Sequence, residues 1–352
     1  MSADPLALAR PDIVALKPYA HAAWDPRLER LHANESPWRV PGDASAAGLN
    51  RYPEPQPQAL VEALAALYGV QPAQLLVGRG SDEGIDLLTR AFCTAGRDAV
   101  IVCPPTFGMY AVAARIQGAA VSSVPLRRDA GYALDLPAIR AALVPQVKLV
   151  YLCTPNNPTG NEIAEADVLA VLEACAGRAL VVVDEAYGEF CGHAGHARRL
   201  AGFPHLVVLR TLSKAHGLAG ARVGSLLAQP AIVALLRKII PPYAMAQPTV
   251  EAALQALQPP AQAVARERIV ATIAERARLA AALAPLPAVE RVWPSAANFL
   301  LVEFRDAGAA LRAIMDAGLI VRDFRGTAGL GEALRLTIGT PEQNDRLLRS
   351  LA

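Results

Sequence analysis

The chain has 352 residues, of which 53% are hydrophobic and 19% charged, with a formal net charge of +2. That length exceeds the roughly 250–300 residues that one hydrophobic core usually fills, so a large and a smaller domain are expected and a disordered chain is excluded. The charges are interspersed and form no basic stripe, which argues against a nucleic-acid partner; Arg127-Arg128 and Arg198-Arg199 read as solvated surface. Residues 1–19 lack a basic region followed by an apolar core, and no apolar run reaches the roughly 18–20 residues of a membrane span. The five cysteines (Cys93, Cys103, Cys153, Cys175, Cys191) are scattered, which fits free thiols in a cytoplasmic protein better than a disulfide framework.

Along the chain, the first marked feature is Arg51-Tyr-Pro-Glu-Pro-Gln-Pro-Gln58, whose prolines exclude a helix and predict an extended, exposed arm. Short β-branched runs follow at 74–77, 99–103, 147–153, 180–183, 206–209 and 222–227. The first of them are separated by helix-like stretches such as 83–92, whose apolar residues recur at helical spacing. Near-continuous apolar strands joined by helices predict an α/β fold with a mostly parallel sheet covered on both faces. After Ala246 the texture changes to a long Ala-rich helical stretch broken at Pro259-Pro260, a strand at 298–304, a helix at 309–317, a strand at 333–338 and a terminal helix. This reads as a second, α+β domain completed by the N-terminal segment. The expected division is 36–245 for the large domain, with 1–35 and 246–352 for the small one.

Four segments at strand ends carry chemistry. Val181-Val-Val-Asp-Glu-Ala-Tyr187 puts Asp184 at the end of a buried strand, the edge where open α/β sheets bind ligands. Leu209-Arg-Thr-Leu-Ser-Lys-Ala215 sets Lys214 past another apolar strand, and Cys153-Thr-Pro-Asn-Asn-Pro-Thr-Gly160 is a rigid turn with fixed amides. Val77-Gly-Arg-Gly-Ser-Asp-Glu-Gly84 runs from a strand into a helix, and its glycines let backbone N–H groups approach an anion at the helix N-terminus. Each segment alone also has a structural reading: a cap, a surface charge or a tight turn. Together, a phosphate cradle, a fixed amide, a strand-end aspartate and a lysine are what pyridoxal phosphate requires.

The residues Arg210-Thr-Leu-Ser-Lys214, Ala219-Gly-Ala-Arg-Val-Gly224, Asn156-Asn-Pro-Thr-Gly160 and Asp184-Glu-Ala-Tyr187 resemble the fold-type I, pyridoxal-phosphate-dependent aminotransferases. Within them the chain is similar to the histidinol-phosphate aminotransferases, through Pro18-Tyr19, Ala33-Asn-Glu35, Asn50-Arg-Tyr-Pro53, Arg79-Gly-Ser-Asp-Glu-Gly84, Cys103-Pro-Pro-Thr-Phe-Gly-Met-Tyr110 and Leu334-Arg-Leu-Thr-Ile-Gly339. These signatures run in order over nearly the whole chain. The resemblance implies that Lys214 carries the cofactor as a Schiff base and moves protons. It implies that Asp184 pairs with the pyridinium nitrogen, that Asn157 and Tyr187 bond the ring oxygen and that Phe107 stacks on the ring. Ser81, Asp82, Ser213 and Arg222 would hold the phosphate, and Tyr52 would reach the phosphate of a neighbouring subunit's cofactor, making a homodimer with shared sites. Tyr19, Asn34, Asn157, Arg322 and Arg335 would bind substrate.

The activity so implied interconverts L-histidinol phosphate plus 2-oxoglutarate with imidazole acetol phosphate plus L-glutamate. An aromatic or broad-specificity aminotransferase and a decarboxylase of a phosphorylated amino acid are the alternatives, with the sensor half of a regulator further off. Two features depart from the family pattern. His216, where relatives usually carry an aromatic or small residue, reads as pointing to solvent rather than as perturbing the Schiff base. The cluster Cys191-Gly-His-Ala-Gly-His196 has spacing that could suggest zinc, but it lies in a Gly-rich loop with no obvious fourth ligand, and no metal site is expected.

Overall fold

The computed structural model describes residues 4–20, 25 and 27–352. Seven strands form the large sheet: β1 (Leu75–Gly78), β2 (Ala99–Val102), β3 (Ala120–Ser123), β4 (Val147–Cys153), β5 (Leu180–Asp184), β6 (Leu206–Thr211) and β7 (Gly224–Leu227). Their spatial order is β1-β7-β6-β5-β4-β2-β3. Strands β3, β2, β4, β5 and β6 are mutually parallel, and β7 runs antiparallel to both β6 and β1. The mostly parallel sheet is thus observed, with one reversed strand inside it. Alternation along each strand feeds two cores: Val181, Val183 and Val208 enter one, Leu180, Val182 and Val207 the other. Burial on both faces is why these runs are apolar without interruption.

A second sheet holds β8 (Val289–Val292), β9 (Phe299–Phe304), β10 (Arg322–Asp323) and β11 (Ala333–Thr337), in the antiparallel order β10-β11-β9-β8. Leu279, Leu283, Leu347 and Leu351 cover one face of it from the flanking helices and make a third core. The expected break at Pro259-Pro260 separates the helix Gln247–Ala256 from the helix Pro259–Leu283. Proline is accommodated there because the first helical turn needs no N–H from it. Residues 5–15, expected with the small domain, pack instead on the large sheet's helices. Arg10 N–H donates to the Ala91 carbonyl at 2.9 Å, and Leu6, Leu8 and Ile13 lie against that core.

The two sheets are tied by a buried carboxylate. Glu303 on β9, 4% exposed, accepts from Arg128 Nη2 at 2.7 Å and from Trp293 Nε1 at 2.7 Å. Arg128, expected as solvated surface, is therefore a strut between the layers. All five cysteines are free, and four are buried. Among the described residues no helix is long and apolar enough to cross a membrane.

Candidate active site

Parallel strands deliver their C-terminal loops to one edge, and here β4, β5 and β6 bring Asn157, Asp184 and Lys214 together. They line a cavity of about 580 Å³, closed from the far side by Arg322, Phe324 and Arg335 of the second sheet.

Asp184 is 2% exposed. Its Oδ2 accepts from the Tyr110 hydroxyl at 2.7 Å and its Oδ1 from the Ala186 N–H at 3.1 Å. Burial pushes its carboxyl up to about 6, against an ordinary 3.8, with the Tyr110 bond working the other way. Both its hydrogen-bond donors are neutral, so a cationic N–H donor is what this carboxylate lacks. Tyr110 also stacks on Tyr151 and meets the edge of Phe107 at 5.6 Å, so the ring that orients Asp184 is itself held by aromatic packing.

At the other end of the cavity, β1 turns into the helix Ser81–Phe92. Its N-cap is Gly80, with φ of +85° and no side-chain cap, so the first-turn N–H groups of Ser81 and Asp82 have no cap to accept them. Gly224 is forced by close approach: a Cβ there would sit 2.3 Å from Ser81 N. Arg222, at φ of +57°, donates to Asp82 Oδ2 at 3.2 Å and to Ser213 Oγ at 3.5 Å. A helix N-terminus, a hydroxyl and a guanidinium around one concavity make an anion site, with Asp82 as the side chain that meets Arg222 here.

Lys214 lies between these two ends, its Nζ 5.7 Å from the centre of the Tyr187 ring. Burial and then the nearby Arg335 lower its pKa, partly offset by Asp82 and Asp184. A neutral amine, the form that attacks a carbonyl, is thereby favoured. Tyr187 is 7% exposed, edge-on to Phe299 at 5.1 Å, and burial raises its phenol above the ordinary value. Asn157 Oδ1 accepts from Arg335 Nη1 at 2.5 Å, which commits its carbonyl to the arginine and leaves its N–H groups for the cavity. Arg335 packs over Phe299 and Phe324, and its Nε is buried without a partner. Arg322 stands opposite Arg335 in the β10–β11 register. The acids that could have neutralised it are engaged elsewhere, Asp323 with Arg325 and Glu303 with Arg128.

The comparisons agree with this geometry. Residues 31–351 match the model of the family "Aminotransferase class I and II". The chain belongs to that family. It is 53% identical over 359 residues to a histidinol-phosphate aminotransferase of Stenotrophomonas maltophilia (strain R551-3), covering 99% of this chain and 97% of that one. It is 55% identical over 323 residues to the one from Xylella fastidiosa (strain 9a5c), covering 91% and 88%. Among solved structures it resembles the histidinol-phosphate aminotransferase from Sinorhizobium meliloti in complex with pyridoxal-5′-phosphate, with a TM-score of 0.78, 28% identity and coverage of 86% and 82%.

The cofactor of this aminotransferase is pyridoxal phosphate, and the residues present fit it. The uncapped helix N-terminus with Arg222 suits the phosphate, the cation-deficient Asp184 suits a protonated pyridine nitrogen, and Lys214 lies between them.

Of the site residues expected from sequence, Ser81, Asp82, Phe107, Asn157, Asp184, Tyr187, Ser213, Lys214, Arg222, Arg322 and Arg335 all line the cavity. Tyr19, Asn34 and Tyr52 do not. Tyr19 is 64% exposed, and Tyr52, half exposed, stacks on Tyr243 at 4.7 Å. Asn34 sits in the same arm at φ of +56°. Sequence reasoning assigned no role to Tyr110 or Phe324, although Tyr110 lies inside a segment that it singled out. His216 does not point to solvent: its side chain is 4% exposed, with Nδ1 3.3 Å from Gln262 Nε2 and Nε2 3.9 Å from Glu189. The helix Pro259–Leu283, which supplies Gln262, covers it, and burial lowers its pKa.

Proposed function

We propose that this aminotransferase interconverts L-histidinol phosphate plus 2-oxoglutarate with imidazole acetol phosphate plus L-glutamate, the step of histidine biosynthesis for which its 51–55% identical relatives are named. The observation that carries this reading is the pair of guanidinium groups, Arg335 and Arg322, that face Lys214 from the second sheet with no carboxylate among the described residues bound to either. The two amino donors share an anion beyond the reacting carbon, phosphate in one and carboxylate in the other. A planar guanidinium can hold either through paired N–H bonds.

In this reading, Lys214 Nζ is the amine that would hold the cofactor and the base that would take and return the substrate's proton. Pyridoxal phosphate supplies the electron-withdrawing ring that makes the substrate's α-proton acidic. Asp184 holds a proton at the ring nitrogen, with Tyr110 orienting the carboxylate. Asn157 and Tyr187 would donate to the ring oxygen, Phe107 would cover the ring face, and Ser81, Asp82, Ser213 and Arg222 would hold the phosphate. Arg335, bonded to Asn157, links recognition of the substrate anion to the residue that positions the ring.

The same reading assigns Tyr19, Asn34 and Tyr52 to a site completed by a second copy of the chain. Support comes from the arm that carries them, which exposes Leu28, Leu31, Trp38 and Leu49 to solvent, Leu31 at 94%. Large apolar side chains this exposed along one segment suit coverage by another protein surface. The domain division proposed is 36–245 and 246–352, with residues 5–15 and the helix Gln247–Ala256 riding on the large unit. Free, mostly buried thiols support a cytoplasmic setting. The test is a single-turnover half-reaction followed by the loss of the holoenzyme's visible absorbance. Histidinol phosphate is expected to react far faster per unit concentration than phenylalanine or tyrosine. Equal rates for the three would return the chain to a broad aromatic specificity.

A further inference from the structure

The loop that follows Tyr187 carries side chains for which the transamination has no use. Cys191 and His193 lie on it, and Glu162 reaches them from the segment just after the Asn156–Gly160 turn. One ligand atom from each of the three lies within 4.8 Å of the others. His193 Nδ1 sits 3.1 Å from the Ala194 carbonyl, a contact it can make only as a donor. Its Nε2 faces Glu162 Oε1 at 2.5 Å. A lone pair on that nitrogen would meet a carboxylate oxygen head-on, so the pair needs a cation, either a proton on Nε2 or a metal ion held by both. The Cys191 thiol beside them bonds the Glu162 carboxylate while protonated, and its sulfur is a soft ligand for a metal once the proton leaves.

We propose that Glu162 Oε, Cys191 Sγ and His193 Nε2 form a binding site for a zinc-class divalent cation, with water as the fourth ligand. Tetrahedral zinc takes these donors at about 2.0–2.3 Å, which sets neighbouring donor atoms roughly 3.3–3.7 Å apart. The carboxylate and imidazole must open from 2.5 Å to that spacing, and both side chains are exposed enough to do so, at 36% and 51%. Carboxylate and thiolate neutralise the dication, and the thiol proton leaves to solvent. The bond from His193 Nδ1 to the Ala194 carbonyl is the outer contact that fixes which ring nitrogen faces the metal. Arg276, held on the Ala297 carbonyl at 2.7 Å, faces the same anionic pair, so the metal binds against its charge. His196 is not a ligand: it is buried and its Nδ1 lies 2.7 Å from Glu185. The site has a structural consequence, because the metal would staple the segment after Asn157 to the loop after Tyr187, two stretches that frame the cavity.

The experiment uses holoenzyme freed of adventitious metal and zinc chloride as the probe, in a non-chelating buffer. Calorimetric titration is run on the wild type and on Cys191→Ser and His193→Ala, and alkylation of Cys191 is followed by peptide mass spectrometry with and without zinc. One zinc per chain is expected, together with protection of Cys191 from alkylation. Loss of a ligand should weaken binding by more than the roughly ten- to hundredfold that loss of an outer contact costs. Both variants should keep the zinc-free melting temperature and turnover of the wild type. Zinc that binds both variants as tightly as the wild type, or that leaves the alkylation rate of Cys191 unchanged, overturns the proposal, as does the absence of binding.

Discussion

Replacing Arg335 by alanine tests how recognition is coupled to the cofactor pocket. The side chain does three things at once. It donates to Asn157 Oδ1 at 2.5 Å, presents its remaining N–H groups to the cavity, and places a positive charge that helps hold the Lys214 ammonium below its ordinary pKa. A charge-assisted hydrogen bond contributes about 1.5–3 kcal/mol, so losing the contact to the substrate anion should lower kcat/KM by roughly ten- to a hundredfold. Because the anion is a phosphate in one donor and a carboxylate in the other, both half-reactions should fall. Removing a neighbouring cation also eases protonation of the lysine, so the spectroscopic titration linked to Lys214 should move to higher pH in Arg335→Ala. Arg335→Lys separates the two effects. It keeps the charge, and with it most of the titration, but a single ammonium cannot bond Asn157 and a planar anion together as a fork does. Stopped-flow half-reactions with histidinol phosphate and with glutamate, over a range of pH, read all of this. A fall confined to glutamate would place the phosphate elsewhere, and an unmoved titration would remove Arg335 from the electrostatics of Lys214.

Three further outcomes follow from the same geometry. Burial raises Asp184 to about 6 from an ordinary 3.8, so the folded cofactor-free protein keeps a proton that the unfolded chain has released. Its burial penalty is absent below about pH 4 and complete above about pH 6, costing about 3 kcal/mol of stability across that window. Urea melts of wild type and Asp184→Asn should therefore differ in pH slope there, and parallel curves would contradict the assignment. Arg128→Ala leaves Glu303 buried with Trp293 as a remaining donor and should destabilise the protein by about 1–3 kcal/mol, with Glu303→Gln in the same chain restoring part of the loss. Tyr52→Phe should loosen cofactor retention, and mixing the Tyr52 and Lys214 variants should regain one working site per mixed dimer; confirmed mixed dimers without activity would mean that each subunit builds its own site.

The strands and residues that were legible in the sequence share one physical cause. A parallel strand buried on both faces must be apolar throughout, so the end of each apolar run marks the sheet edge and sets Asp184 and the segments of Asn157 and Lys214 there, while their individual roles are what the family resemblance implies. Strand β3 escaped because it is an edge strand with partly exposed Ala-Val-Ser-Ser, and β10 because two exposed residues make a strand only through their pairing with β11. Contacts that join distant segments were invisible for the same reason. The bond from Tyr110 to Asp184 spans 74 residues and that from Arg128 to Glu303 spans 175, and no local pattern announces either. His216 was misjudged because its exposure is decided by the helix Pro259–Leu283, not by its neighbours in sequence.

The arm poses a different problem, since its family signatures are clear while its site residues stand away from the cavity. Arg51 and the Tyr52 N–H both bind the Glu35 carboxylate, and Arg30 donates to the Tyr52 carbonyl, while Ala46 N–H on Glu251 and Gln56 on Val77 tie the same stretch to the rest of the chain. Those bonds order its backbone while Leu31 and Trp38 remain exposed. Ordering a backbone costs roughly 1–2 kcal/mol per residue, and the bonds of the buried Glu35 carboxylate to Arg30 and Arg51 offset part of it. An arm kept in this shape gains further compensation where its apolar side chains are covered. A second copy of the chain is the surface that would cover them and also receive Tyr52 at its phosphate site, which is why the mixed-dimer experiment decides the architecture of the active site as well as the oligomeric state.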